Sequence, residues 1–187
     1  MTVALIVAGV VVAATAIFVW LTYNRLVRLQ LATANSWAQI EVALKLRHDL
    51  VPALVQTVSG YASHERDTFE RTALARSAAI GATGSGPMRQ SALKGTLALG
   101  IRSLIGLAEA YPELKASDNF ATLQRDLASV EERISITRRV YNDTVETLNT
   151  AVAVFPSSLV ASAFGFSDRE FFSAGAEAEV APAVTIP

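Results

Sequence analysis

The apolar sequence VALIVAGVVVAATAIFVWL (residues 3–21) constrains how the whole chain can fold. Its only hydroxyl is Thr15, its only glycine is Gly9, and the first charged side chain of the protein is Arg25. A helix of 19 residues at 1.5 Å per residue is about 28 Å long, close to the hydrocarbon thickness of a bilayer. The sequence therefore predicts a transmembrane anchor over residues 1–24.

A cleaved signal peptide is the competing interpretation of this apolar stretch. Such a peptide has a basic segment before a shorter apolar core. Here no basic residue precedes the apolar stretch, and the stretch is long, which favours a retained anchor. Trp20 and Tyr23 occupy positions typical of an aromatic membrane interface, and Arg25 and Arg28 follow directly. These four residues are the predicted membrane interface.

The distribution of positive charge predicts the orientation. Arg25, Arg28, Lys45 and Arg47 all follow the apolar stretch, and the cytoplasmic flank of a membrane helix carries the excess of Lys and Arg. We therefore expect a single-pass protein of the cell inner (cytoplasmic) membrane. Its N-terminus would lie outside and the bulk of the chain in the cytoplasm.

Composition excludes several classes of function. The formal net charge is −1 over 187 residues, so no strong attraction to nucleic acid is expected. The absence of cysteine excludes disulfides, thiolate metal sites and thiol nucleophiles.

Apolar residues after the anchor recur at helical spacing and predict four helices, over about residues 25–46, 49–80, 88–110 and 117–153. The last helix has the clearest stripe, with steps of three and four residues: Phe120, Leu123, Leu127, Val130, Ile134, Thr137, Tyr141, Val145, Leu148 and Val152. Short connections are typical of antiparallel neighbours. The predicted fold is all-α, with the anchor leading into an antiparallel up-and-down four-helix bundle over residues 25–156.

Pro52 predicts a helix boundary. Proline lacks a backbone N–H and disfavours the helical conformation in the preceding residue. We expect a break between Arg47 and Pro52, with Asp49 as a cap of the second helix. A kinked continuous helix is the alternative.

An aromatic amphipathic segment is expected over residues 157–172. Four of the eight phenylalanines lie within nine residues, as Phe164, Phe166, Phe171 and Phe172. They could form a cap over the open end of the bundle, or a contact with the membrane or a partner. Residues 173–187 are predicted to be extended or disordered.

No catalytic, cofactor-binding or metal-binding residues are predicted. His64-Glu65 begins like the H-E-x-x-H motif of zinc proteases, but the motif fails because Thr68 occupies the position of the second histidine. The glycine-rich stretch 81–86 lacks the Lys-Ser/Thr ending of a phosphate-binding loop. Polar residues on the helix faces are expected to fix helix register, with a partner site as the alternative: Asn35, Gln39, Glu131, Arg133 and Arg138.

Short motifs occur in order along nearly the whole chain: Tyr23-Asn24-Arg25-Leu26-Val27, Ser36-Trp37-Ala38-Gln39-Ile40, Arg47-His48-Asp49-Leu50-Val51-Pro52, Gly60-Tyr61-Ala62-Ser63-His64-Glu65, Glu109-Ala110-Tyr111-Pro112-Glu113-Leu114, Tyr141-Asn142, Phe155-Pro156 and Gly165-Phe166. In these motifs the chain resembles the LemA family. The resemblance implies an N-terminal membrane helix with a short outer N-terminus and a cytoplasmic antiparallel helical bundle. It implies no settled biochemical activity, although some members are linked to building internal bacterial membranes.

These observations together predict a membrane-anchored, non-enzymatic scaffold or interaction protein that needs no cofactor. Its expected partners are the lipid bilayer, further copies of itself, and an unidentified membrane or cytoplasmic protein. Two alternatives remain open from sequence: an oligomer that shapes the membrane, and an accessory factor or enzyme acting on an envelope substrate.

Overall fold

The computed structural model describes residues 1–173, and this part of the chain contains helices and no strand. The helices are α1 (Thr2–Ser59), α2 (Arg66–Gly81), α3 (Pro87–Leu107), α4 (Pro112–Lys115), α5 (Asp118–Ala153) and α6 (Ser157–Phe164). The all-α prediction is confirmed, and the up-and-down four-helix arrangement stays a prediction. Apart from Ser173, the predicted tail lies outside the described residues.

The predicted break between Arg47 and Pro52 is wrong, because α1 continues through Pro52 as one helix of 58 residues. Proline at this position cannot donate to the carbonyl oxygen of His48, four residues earlier. Arg76 of α2 supplies the missing donor, since its Nε lies 2.8 Å from that oxygen. The ring of Pro52 is exposed, so the helix accommodates it on its solvent side.

The helix predicted over 49–80 is divided at a later point. Its first part is the end of α1, which stops at Ser59, and its second part is α2, which begins at Arg66. After Gly60 the chain turns, and the N–H groups of Tyr61 and Ala62 both donate to the carbonyl of Val58, at 3.0 and 2.9 Å. Glycine in a helix interior is entropically unfavourable, which makes Gly60 a suitable place for the helix to end.

The chain forms two compact units. The first unit comprises Met1–Trp37 and Val140–Arg169, and the second comprises Ala38–Arg139 with the segment that starts at Glu170. This division differs from the predicted boundary between anchor and bundle at residues 24 and 25. It arises because α1 and α5 each contribute one part to each unit.

In the first unit, α5 runs antiparallel to α1. Leu26 of α1 shares a buried core with Ala151 of α5, and the ring centroid of Trp37 lies 5.2 Å from that of Tyr141. Residue numbers therefore fall along α5 as they rise along α1. A hydrogen bond of 3.0 Å joins the hydroxyls of Ser36 and Thr144 between these levels. Val160 and Ala161 of α6 complete the buried core.

In the second unit, α1 to α5 all contribute to a single core. Its buried members include Val51, Leu54 and Val58 of α1, Ala79 of α2, Leu97, Ile101 and Leu104 of α3, Leu114 of α4, and Phe120 and Leu127 of α5. The helices α2 and α3 approach closely at Gly100, where a Cβ atom would lie 2.9 Å from Oγ1 of Thr72. Glycine is therefore required for this packing.

Replacing Arg76 should show how much the stability of the protein depends on its hydrogen bond to the carbonyl of His48, which Pro52 cannot make. We expect Arg76→Ala to lower the free energy of unfolding by about 1–3 kcal/mol, because the carbonyl of the buried His48 loses its charge-assisted hydrogen bond. In a Pro52→Ala background the loss should be smaller, since the alanine N–H can donate to the carbonyl of His48. Denaturant unfolding of all four proteins, followed by circular dichroism in detergent, measures the difference.

Arg71→Ala is the matched control, because Arg71 lies exposed on the same helix. It should change stability little in either background. An Arg76→Ala effect of equal size in both backgrounds would contradict the assigned role of Arg76.

Candidate functional site

The start of α1 presents an apolar surface without protein cover. It is long and apolar enough to cross a membrane, and none of its most apolar window of 18 residues is buried within the protein. The exposed side chains include Val3, Leu5, Ile6, Val10, Val12, Ile17 and Trp20. Surface of this extent and composition requires an apolar environment.

Helix α6 adds a second apolar surface to the first unit. It leaves α5 at an angle of 94°, so it runs across the axis shared by α5 and the antiparallel α1. One side of α6 is buried in the core through Val160 and Ala161. The other side is exposed at Leu159 and Phe164, as is Phe155 just before the helix. The helix ends at Gly165, whose φ of 74° is the left-handed conformation typical of a helix C-terminus.

Tyr23 joins the two apolar surfaces. Its ring centroid lies 5.0 Å from that of Phe164 and 5.7 Å from that of Phe166, both in edge-to-face geometry. Two groups of residues that were predicted separately, at the membrane interface and in the aromatic segment, therefore meet in one cluster. Trp20, Arg25 and Arg28 lie exposed on α1 within two turns of Tyr23, and their contact with lipid stays a prediction.

The four clustered phenylalanines have different surroundings. Phe164 is exposed and Phe166 is half-buried in the first unit, whereas Phe172 is fully buried in the second unit. Phe171 is exposed. Phe172 therefore offers no surface to a membrane or a partner, and a cap over the open end of a bundle stays a prediction.

The segment after α6 is held by specific hydrogen bonds. In the first unit, the side-chain amide of Asn149 donates to the carbonyl of Arg169 at 2.9 Å, and its oxygen accepts from the N–H of Arg169 at 2.8 Å. In the second unit, the hydroxyl of Ser91 donates to the carbonyl of Ser173 at 2.9 Å. The segment is thus a defined part of the structure up to Ser173.

A group of buried charges lies in the second unit. Arg47 is only 1% exposed. Its Nη1 lies 3.0 Å from Oε2 of Glu131, and its Nη2 donates to the carbonyl of Lys94 at 2.7 Å. The amine of Lys94 lies 3.6 Å from the other oxygen of Glu131 and 5.8 Å from the ring centroid of Phe172. A carboxylate and a carbonyl thus offset the cost of burying two cations.

Burial determines the titration of this charged group. Desolvation lowers the pKa of Lys94, while the nearby carboxylate of Glu131 opposes the shift. Desolvation likewise lowers the pKa of Arg47 against the same opposing charge, although an arginine remains protonated in a protein. The arrangement fixes the relative positions of α1, α3 and α5 within this unit.

Sequence reasoning named Glu131 as a register residue but missed its partners Arg47 and Lys94, although helical spacing contained the signal. Arg47 lies four residues after Ala43, Lys94 three before Leu97, and Glu131 four after Leu127, so each shares a helix face with core residues. Arg47, which was counted among the positive charges that follow the apolar stretch, is buried in the second unit. The expected register residues Asn35, Gln39 and Arg133 are exposed.

The second unit also contains an open groove of about 470 Å³ beside α1. Its apolar lining includes Ala38, Val42 and Leu44 of α1 and Ile80 of α2, and its polar lining includes Lys45, His48, Thr83 and Gln90. Burial lowers the pKa of His48, with further lowering by the charges of Arg47 and Arg76. Within residues 1–173, no three histidine or acidic side chains are grouped to hold a metal ion.

Lys94→Met should change how stability depends on pH. With its pKa lowered in the folded protein, Lys94 loses its proton there before it does in the unfolded chain, whose value is near 10.5. Between these two values the unfolded chain binds more protons, so stability rises with pH. The variant should lose this rise, measured by denaturant unfolding from pH 8 to about 10.5.

Lys115→Met is the control, because Lys115 is largely exposed and paired with Glu109. It should keep the pH dependence of the unmodified protein. Identical pH profiles for Lys94→Met and the unmodified protein would refute the assigned effect of burial.

Comparison with known proteins agrees with this architecture. Residues 36–186 match the LemA family. The chain is 25% identical to the magnetosome protein MamQ 1 of Paramagnetospirillum magneticum and 24% identical to the magnetosome protein MamQ of Magnetospirillum gryphiswaldense. Each alignment covers 80% of this chain and 64% of the relative, so the chain spans less than two thirds of their length. Given a family match over most of its length and an exposed apolar helix of membrane-spanning length, this membrane-associated protein belongs to the LemA family.

Proposed function

We propose that this protein is a membrane-anchored scaffold that acts through its position and its contacts rather than through catalysis. The observation that carries the proposal is the exposed apolar surface of residues 3–21, which lies on the same continuous helix as the packed core residues Leu26 and Val51. The anchor crosses the inner membrane once, with the N-terminus outside. The remainder forms an up-and-down helical bundle in the cytoplasm.

Helix α6 provides a second membrane contact in this proposal. It runs across the α1 direction beside Tyr23, at the end of the exposed apolar part of α1. A helix crossing a membrane-normal anchor lies along the membrane surface, where exposed Phe155, Leu159 and Phe164 can enter the headgroup region. Arg25 and Arg28 at the same level suit anionic headgroups.

Self-association follows from confinement in the membrane. Anchoring restricts the protein to two dimensions and raises its effective concentration, so weak lateral contacts suffice for assembly. A membrane-shaping oligomer is the second candidate. It is favoured by the exposed aromatic face of α6, because shallow insertion into one leaflet is coupled to curvature, and by the similarity to proteins named for magnetosomes.

A dye at position 159 should report the membrane contact of α6. The chain has no cysteine, so Leu159→Cys, which lies 63% exposed, can be labelled with an environment-sensitive fluorophore in the full-length protein. In liposomes we expect blue-shifted emission that brominated lipids quench, because the side chain sits among headgroups.

Glu146→Cys is the matched control. Glu146 is exposed on α5 in the same unit, and seven residues before Ala153 place it about 10 Å further from α6. Its dye should emit as in water, and in intact cells an impermeant maleimide should fail to reach it. Water-like emission at both positions would reject the α6 contact, and labelling of Glu146→Cys in cells would reject the orientation.

Self-association should be visible directly. Detergent-extracted full-length protein should form rings, filaments or other defined assemblies in negative-stain images, since lateral contacts are proposed to hold the scaffold together. Cross-linking in liposomes at low protein density gives an independent measure. A uniform monomer in both experiments would contradict the scaffold and the membrane-shaping oligomer alike.

A further inference from the structure

An open pocket lies in the first unit, where α5 meets α6. Its volume of about 660 Å³ falls within the range of about 300–1,000 Å³ that is typical of small-molecule sites. Every residue that lines it belongs to the first unit. Its polar lining comes from three consecutive segments and consists of Asn149, Ser158, Ser162, Ser167 and Asp168. Its apolar lining consists of Val152, Ala153 and Phe166.

Hydrogen bonds and helix geometry hold the polar walls of this pocket in place. The side-chain amide of Asn149 is bonded to both backbone groups of Arg169, at 2.9 and 2.8 Å. This pair of bonds fixes the neighbouring Asp168 beside α5. Ser158 and Ser162 are four residues apart, so both lie on one side of α6. The pocket is therefore formed before any ligand binds.

The charge of the lining favours a cation that donates hydrogen bonds. Asp168 is the only charged residue among those that line the pocket. Within residues 1–173, its carboxylate and the hydroxyls of Ser158, Ser162 and Ser167 have no hydrogen-bond partner, so they are available to a ligand. A primary ammonium group suits this lining, because it combines a positive charge with three N–H donors.

The pocket lies beside the surface that the proposed membrane contact places among lipid headgroups. Ser158 directly precedes Leu159, whose side chain is exposed on the same helix. Because α6 has eight residues and is only about 12 Å long, a position along the membrane surface brings the whole pocket to headgroup level. A lipid is confined to the same two dimensions as the anchored protein, which raises its effective concentration at the pocket.

We propose that this pocket binds the headgroup of a phospholipid that carries a primary ammonium group, as in phosphatidylethanolamine. The inference rests on the membrane contact of α6 in the proposed function and adds the class of lipid. The carboxylate of Asp168 accepts hydrogen bonds from the ammonium group. The hydroxyls of Ser158 and Ser162 donate to the phosphate oxygens, and Phe166 contacts the carbons beyond them. A trimethylammonium headgroup carries the same charge but has no N–H to donate.

Native mass spectrometry of the full-length protein tests the choice of lipid. The protein in detergent is mixed with equal amounts of phosphatidylethanolamine and phosphatidylcholine that have identical acyl chains. We expect the protein to retain phosphatidylethanolamine several-fold more than phosphatidylcholine. In Asp168→Asn the ratio should fall to about one, because the carboxylate is lost while the size of the side chain is kept.

Asp143→Asn is the matched control. Asp143 is exposed on α5 in the same unit, and it precedes Asn149 by six residues, which is about 9 Å along the helix. This variant should keep the preference of the unmodified protein. The double variant Ser158→Ala with Ser162→Ala should retain less of both lipids, because the phosphate is common to them. Equal retention of the two lipids by the unmodified protein, or an unchanged preference in Asp168→Asn, would overturn the proposal.

Two further measurements separate the possible failures. The dye at Leu159→Cys reports the membrane contact of α6 without involving the headgroup. Blue-shifted emission together with equal retention of both lipids rejects the headgroup site alone, whereas water-like emission rejects the membrane contact and with it a lipid as the occupant. Soluble phosphoethanolamine should not displace the lipid when present at the same concentration. Displacement under these conditions would overturn the proposal, because the pocket would then take a free amine.

Discussion

The continuity of α1 depends on finding a hydrogen-bond donor for one carbonyl oxygen. Pro52 has no backbone N–H to donate to the carbonyl of His48, and an unpaired backbone acceptor in a half-buried position lowers stability. Arg76 of α2 supplies the donor at 2.8 Å. As a result one helix carries both the apolar surface of residues 3–21 and the core residues Val51 to Val58. The apolar surface and the packed core are thus carried by a single helix without a break at Pro52.

The buried cations of the second unit likewise depend on partners from other helices. Arg47 enters the interior only because Glu131 and the carbonyl of Lys94 meet its guanidinium. Removing the Glu131 carboxylate would leave the buried Arg47 and Lys94 without their acidic partner, so the three helices that carry these residues are tied to one register. Short hydroxyl side chains perform this task in the first unit, where Ser36 meets Thr144.

The aromatic residues show how far pattern and structure agree. Their concentration near the C-terminal end indicated a surface or a cap, and the structure places Phe164 exposed beside Tyr23 and Phe172 buried against Lys94. Two residues of the same type, eight positions apart, differ because the chain passes from one unit to the other between them. Hydrophobicity alone cannot distinguish them, since it is equal for both.

The sequence by itself determined the elements that depend only on the composition and spacing of one segment. The apolar run predicts a membrane-spanning helix, and the three-and-four spacing from Phe120 to Val152 predicts α5, because period and composition are properties of the segment itself. The tertiary structure decided two other features: that α1 passes Pro52 and that Arg47 is buried. Each depends on an atom far away in sequence, such as Nε of Arg76 or Oε2 of Glu131. Helical periodicity can place a residue on a face, but only packing decides whether a distant group satisfies it there.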